Sequence, residues 1–273
     1  MLFSMTRPPD WTDKSRPIAA FQRLDRVDAL RGWAMVWMTV YHFAFDLNHF
    51  RLIHQDFYRD PIWTWQRTAI VSLFLFCAGF GQATAAARGQ GWPRFCKRWA
   101  QVAGCALLVS IGSWWMFPHS WIHFGVLHGM AVMLMLVRWA LDRRQGRPAA
   151  WAAAGCALMA GWWGLTQWVL PAPEMRAITE LLQSRALNGL GLVMRKPVTE
   201  DYVPVLPWLG VMCWGVAMGL HASRSAPAVR AKPLSAVGRA LAALGRWSLS
   251  YYMLHQPLLI GGLMAWNAAR GGA

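Results

Sequence analysis

Between Arg26 and Phe50 the chain reads RVDALRGWAMVWMTVYHFAFDLNHF. Most of this stretch is apolar enough for a membrane helix, yet it holds Arg31, His42, Asp46 and His49. At 100° per residue, Arg31 and His42 fall about 20° apart, Asp46 lies within about 40° of His42, and His49 returns to the same face. One stripe therefore carries Arg31, Met35, Met38, His42, Asp46 and His49, while Trp, Val, Ala, Phe and Leu fill the others. Helical rise puts His42 roughly 16 Å beyond Arg31, near the middle of a bilayer about 30 Å thick. An ionisable group at that depth costs at least about 2.5 kcal/mol, so it faces protein or water. A neutral histidine hydrogen-bonded inside a bundle would meet that demand, and so would a histidine that moves protons or acyl groups. Four aligned polar groups favour the second. Asp46, one turn beyond His42, is then expected to hold the imidazole tautomer.

Two further apolar stretches carry groups able to do chemistry. WIHFGVLHGMA places His128 about 10 Å inside the outer edge of its span, with His119 and His123 at that edge. SLSYYMLHQPLLI puts Tyr251 and His255 at i, i+4 on one face. Pro257 removes a backbone donor there, so His255 and Gln256 either satisfy the carbonyls it frees or line a cavity. Glu200, Asp201 and Tyr202 precede Pro204 and Pro207, and a carboxylate such as Asp201 can cap a helix or meet a substrate. His42, Asp46 and His49 rise over about 10 Å, too far for one metal ion to take all three, and no metal site is expected.

The elements that must position these groups are membrane helices. Only 14% of the residues are charged and 56% are hydrophobic, against about a quarter charged in soluble domains. Nineteen tryptophans suit a protein that anchors at two lipid–water interfaces. Apolar spans run at roughly 30–50, 64–87, 99–117, 121–141, 149–170, 204–222 and 248–268, each long enough to cross a bilayer. The expected fold is an all-α polytopic transmembrane bundle of about seven or more spans. Residues 1–22 are expected to form a mobile cytoplasmic tail and residues 23–273 one membrane domain. The mixed segment 174–196 is expected to hold an interfacial helix, AITELLQSRAL, and a Gly-containing turn. FCAGFGQATAAA and AWAAAGCALMAGWWG carry small residues that let helices approach closely.

The net charge of +15 does not indicate nucleic-acid binding, because the basic residues cluster in short loops between apolar spans. One set of loops carries Arg88, Arg94, Lys97 and Arg98, then Arg143, Arg144 and Arg147, then Arg224, Arg230, Lys232, Arg239 and Arg246. The alternate loops are thinned by Asp56, Asp60, Glu174, Glu180, Glu200 and Asp201. The positive-inside rule then puts the N-terminus in the cytoplasm and 51–63, 117–121 and 171–203 outside. The five cysteines show no paired spacing, and the N-terminus has no apolar signal-peptide core.

VDALRGWAMVWMTVYHFAFDLNHF resembles the first helix of the heparan-α-glucosaminide N-acetyltransferase catalytic-domain family, in its bacterial branch. FGVLHGMA at 124–131, DYVPVLPWLG at 201–210 and LGRWSLSYYMLHQPLLI at 244–260 fit the same family. The Arg31-to-His42 spacing also resembles membrane acyltransferases that O-acylate cell-surface sugars. The resemblance implies a multi-pass enzyme of the bacterial inner membrane that moves an acetyl or similar acyl group from acetyl-CoA to a sugar amine or hydroxyl. Lipid, acyl-CoA and a glycan acceptor are the expected partners, and the sequence carries no signal of oligomeric state. His42 is the expected catalytic base or acyl-accepting group, with Asp46 beside it. The animal members of the family place Asn where this chain has His42 and their catalytic histidine about three helical turns later, which makes His54 the rival base. Arg31, paired with Asp28 at rest, is expected to meet a phosphate of coenzyme A. His49, His128, Tyr251, His255, Gln256 and Asp201 are expected around the substrates. Two other activities fit the residues alone: haem-based electron transfer with His42, His128 or His255 as axial ligands, and proton-coupled transport through Arg31, His42 and Asp46.

Overall fold

A computed structural model describes residues 15–143, 146–224 and 233–271. The described chain is helical, with a single isolated bridge between Phe124 and Tyr202. In chain order the helices are α1 (Ser15–His49), α2 (Pro61–Ala87), α3 (Trp92–Met116), α4 (Val126–Arg143), α5 (Pro148–Gly164), α6 (Arg176–Gln183), α7 (Val205–Arg224), α8 (Ala236–Arg246) and α9 (Ser248–Ala269).

Local chemistry fixes several boundaries. Asp60 caps α2 by accepting from Ile62 N at 2.8 Å, and Pro61 occupies its first turn, where no amide donor is needed. Ser235 accepts from Gly238 N and starts α8. A π turn, Leu165–Val169, continues α5. Gly191 has a φ of 92°, a left-handed conformation open to glycine, and ends the short helical turn Asn188–Leu190.

Three helices, α2, α3 and α7, are long and apolar enough to cross a membrane. The seven spans expected from the sequence each coincide with a helix, but α1, α4, α5 and α9 do not meet that measure alone. The reasons are particular to each. Arg31, His42 and Asp46 dilute α1, and Arg138, Asp142 and Arg143 load the end of α4. Helix α5 proper ends after 17 residues, and Tyr251, Tyr252, His255 and Gln256 dilute α9. Helix α1 begins at Ser15, within the stretch expected as a tail, and residues 1–14 lie outside the described residues. Arg144, Arg230 and Lys232 of the basic loops also lie outside them.

Helix α8 is not foreseen by the sequence reading, which treats 232–247 as basic loop. It runs antiparallel to the inner part of α1, with Gly32 against the Leu241 carbonyl and Gly245 against the Asp28 carbonyl. A side chain at either glycine would drive into backbone, so these residues let the two helices touch. The same device joins α2 to α7 through Gly79 and Gly215, as the small-residue pattern suggests. Leu75, Met133, Val137, Met212 and Val216 fill the core between α2, α4 and α7. Helix α3 is peripheral: Leu107, Leu108, Ile111, Trp114 and Trp115 are exposed, as suits side chains that face acyl chains and the interface.

Helix α6 lies within 171–203, where the interfacial helix is expected, and ends at Gln183. Gln183 holds the return of the segment, donating to Arg195 O at 2.7 Å and accepting from Met194 N and Arg195 N. The strand-like approach to α7 then docks on the α3–α4 loop through Glu200 N to Ser120 O and Val203 N to Phe124 O.

Candidate active site

Three side-chain pairs fasten α9 to α1. Tyr251 and Thr39 hydroxyls meet at 2.7 Å, His255 Nε2 and His42 Nδ1 at 3.0 Å, and Gln256 Nε2 donates to Asp46 Oδ1 at 2.7 Å. Residue numbers rise together along both helices, so α1 and α9 run parallel. Apolar neighbours Met35, Met38 and Tyr41 are buried around the seam. In such surroundings each polar group on one helix needs a partner on the other, because an unmade hydrogen bond costs about 1–3 kcal/mol.

The partners fix the tautomers. The carbonyl of Tyr252 only accepts, and it lies 2.7 Å from His255 Nδ1, so that nitrogen carries a proton. Neutral His255 then offers a lone pair at Nε2, and His42 Nδ1–H donates to it. This leaves the lone pair of neutral His42 at Nε2, outside the pair. The Tyr251 ring stacks on His255 at an interplanar angle of 6°, and the Thr39 hydroxyl donates to Met35 O at 2.8 Å, so Tyr251 donates to Thr39. The result is a lone pair at His42 Nε2 on a ring whose far nitrogen is held in place. His255 does the holding expected of Asp46. The carboxylate binds the neighbouring amide of Gln256 because α9 presents His255 and Gln256 consecutively against residues one turn apart on α1.

Asp46 is only 3% exposed. Its Oδ2 and Gln256 Oε1 are buried without a hydrogen-bond partner. Both are acceptors, and a group rich in N–H or O–H donors would satisfy both. The direct bond between His42 and His255 also leaves no space for an iron atom between these two histidines, which removes them as opposed axial ligands of one haem in this arrangement.

Arg31 lies at the N-terminal end of the stripe. Its Nη1 pairs with Asp28 Oδ1 at 2.9 Å and its Nη2 reaches Cys77 O at 3.4 Å. The guanidinium also stands over Gly81, where a Cβ would lie 3.7 Å from Nη2. Met35 and Met38, each 3% exposed, pack between Arg31 and His42; flexible thioether side chains can rearrange around a ligand.

The outer residues form a separate bracing network. Ser110 donates to Ile122 O at 2.7 Å and accepts from His128 Nε2 at 3.0 Å, while His128 Nδ1 accepts from Gly125 N. Both nitrogens of His128 are therefore used in shaping the start of α4. Asp201 Oδ2 accepts from Val126 N at 2.7 Å and so caps α4 from a distant segment. Burial pushes the Asp201 carboxyl above the ordinary aspartate range, against the pull of that backbone bond. Asn188 donates to His123 Nε2 at 3.2 Å, and Tyr202 donates to Asn188 O at 2.6 Å. His49 is exposed at the C-terminal end of α1, edge-on to Phe50 and Phe117. His54 is exposed on the α1–α2 loop.

Of the residues singled out by sequence, the fold thus gathers His42, Asp46, Tyr251, His255 and Gln256 along one seam, with Arg31 and Asp28 further in on α1. His128 and Asp201 belong to the outer brace. Thr39 and the Tyr252 carbonyl escape the sequence reading. Thr39 carried a signal, as a hydroxyl one turn before His42 in an apolar helix that needs partners. The carbonyl carried none, because every residue has one.

The family model described as heparan-alpha-glucosaminide N-acetyltransferase, catalytic, matches residues 23–257. The comparison with curated proteins gives no match. The comparison with solved structures gives none either.

Proposed function

The chain belongs to the heparan-alpha-glucosaminide N-acetyltransferase catalytic family, and from that membership we propose a seven-span membrane enzyme that acetylates an amine or hydroxyl of an extracytoplasmic sugar with acetyl-CoA. The parallel run of α1 and α9 supports the span count, since two spans that cross in the same direction have an odd number of spans between them, as the first and last of seven do. Basic loops support an N-terminus in the cytoplasm of a bacterial inner membrane.

The observation that carries the reading is the His42–His255 bond, which leaves a lone pair at His42 Nε2 beside unpartnered Asp46 and Gln256 oxygens. In the proposed reaction the acceptor's N–H or O–H groups bond to those oxygens. His42 Nε2 removes the acceptor proton as its nitrogen or oxygen attacks the thioester carbonyl carbon. The C–S bond breaks, and the CoA sulfur takes the proton back from the His42 imidazolium. His255 stays neutral and holds the cation that forms. Arg31, mobile between Asp28 and an anion, meets a donor phosphate at the inner end. The path is direct; an acetyl-histidine at the same Nε2 predicts ping-pong kinetics instead.

Proteoliposomes carrying the full chain, given radiolabelled acetyl-CoA inside and glucosamine oligosaccharides outside, test the proposal. Label transferred to the sugar by wild type and not by His42→Ala is the expected result. No transfer to any amino or hydroxyl sugar, with acyl-CoA bound or not, counts against it.

A further inference from the structure

A second cationic feature lies beyond the seam. The turn between α2 and α3 opens into a cavity of about 960 Å³ lined by Arg88, Arg94, Lys97 and Arg98, with Gln90 and Gln101 beside them and no acidic residue in its wall. Arg94, Lys97 and Arg98 are exposed and form no ion pair with a described residue. The floor is fixed from behind. Arg138 of α4, 5% exposed, donates to Gln90 O at 2.7 Å and lies over the rings of Trp92 and Phe95. Trp92 in turn donates to Asp142 of α4. A concave wall with cations and no acid is suited to a multiply charged anion, and arginine's planar fork pairs with two phosphate oxygens at once.

The cavity also begins close to Arg31 along α2. Cys77, Gly81, Ala85 and Arg88 fall on one face of α2 by helical geometry. Arg31 occupies that face at Cys77 and Gly81, and the cavity begins at Ala85. One turn, about 6 Å, separates the two, a gap that a ribose bearing phosphates at its 3′ and 5′ positions can bridge. Accordingly we infer that the α2–α3 cavity binds the 3′-phosphate of the acyl-CoA donor, while its diphosphate reaches Arg31. A 3′-phosphomonoester carries about −1.5 to −2 charge at neutral pH, and three cations with no ion pair to a described residue offer it charge-assisted bonds. The inference rests on the acetyltransferase reading and adds the site of the donor's nucleotide end.

The test uses purified full-length protein in detergent and calorimetric titration with CoA, dephospho-CoA and adenosine 3′,5′-bisphosphate. A triple variant, Arg94→Gln, Lys97→Gln and Arg98→Gln, is compared after its thermal stability is matched to wild type. Wild type should bind CoA and the bisphosphate, and dephospho-CoA at least about tenfold more weakly. The triple variant should lose that preference, binding CoA no better than dephospho-CoA. Equal CoA affinity in variant and wild type overturns the assignment while leaving the acetyltransferase reading intact, provided both still transfer acetyl groups. If the variant keeps its CoA affinity but loses retention of phosphatidylglycerol in native mass spectrometry, the cavity holds a lipid headgroup and the assignment fails. Absence of any CoA binding by wild type counts against the acetyltransferase reading itself.

Discussion

Gln256 donates to Asp46 at 2.7 Å, one α9 position beyond the histidine that holds His42. The bond uses one carboxylate oxygen and leaves the other, with the amide oxygen, buried without a hydrogen-bond partner. A buried pair with two spare acceptors is suited to gripping a donor-rich acceptor. It does not touch the His42 ring, which His255 holds.

That division of labour gives the first prediction. Asp46→Asn should raise the KM for the sugar and lower turnover by about tenfold, less than loss of His42 costs. Gln256→Ala should move the same parameter in the same direction. A change in donor KM with the sugar KM untouched would remove Asp46 from the acceptor side.

His42 is the second. His42→Ala should lower turnover by about 10²- to 10⁴-fold, the range of a positioned general base, while CoA affinity in titration stays near wild type. His54→Ala should leave turnover near normal, since His54 sits exposed on a loop. The opposite pattern moves the base to the loop. Each variant is first checked for membrane insertion and a folded melting profile.

How far the sequence foretells this site depends on how each group finds its partner. Arg31, His42 and Asp46 are legible because helical period alone puts them on one stripe of an apolar helix. The Arg31–Asp28 pair is legible for the same reason, being local at i, i+3. The fold class follows from apolar runs of membrane length, and the α6 segment from its mixed composition. Partner choice across helices is not legible. Nothing in the spacing of α1 says that His42 meets His255 while Asp46 meets Gln256; the parallel packing of α1 and α9 decides it. Nor does spacing reveal that Asp201 caps α4, because that contact joins residues far apart in sequence. Helix α8 is missed since Arg239 and Arg246 give it the charge of a loop, while its contact with α1 depends on Gly32 and Gly245.

The third prediction concerns Arg31. With Asp28 as its resting partner, the guanidinium exchanges one anion for another when the donor enters. Arg31→Ala should weaken CoA binding, and Arg31→Lys should restore it only in part, because an ammonium lacks the planar fork. CoA affinity unchanged in Arg31→Ala removes the residue from the donor site.

Topology supplies the fourth. Reporter fusions after Gly91 should read cytoplasmic and those near Pro173 periplasmic, since the α2–α3 turn carries Arg88, Arg94, Lys97 and Arg98 while the 171–203 segment mixes acids with bases. Both reporters on one side would break the seven-span reading. A periplasmic reading after Gly91 would also separate the basic cavity from the compartment that holds CoA.

The last prediction turns on Asp201. Its carboxyl titrates above the ordinary aspartate value of about 3.9 because burial disfavours the charge. Between those two values the folded chain holds a proton that the unfolded chain has already released. Folding therefore binds protons in that window, and this residue makes stability fall as pH rises through it. Above the raised value the folded state bears an ionised, partly buried carboxylate, which the backbone N–H of Val126 offsets in part. Asp201→Asn keeps an oxygen for that N–H and has no charge to desolvate, so the melting temperature in detergent should decline less with pH across the window than in wild type. Asp201→Ala leaves the start of α4 without its acceptor and should lose about 1 kcal/mol below the window, a deficit that narrows as pH rises because the variant has no carboxyl to ionise. If Asn and wild type decline in parallel, the pH dependence belongs to another group. If Ala melts with wild type, the bond to Val126 contributes nothing to holding α4 against the outer segment.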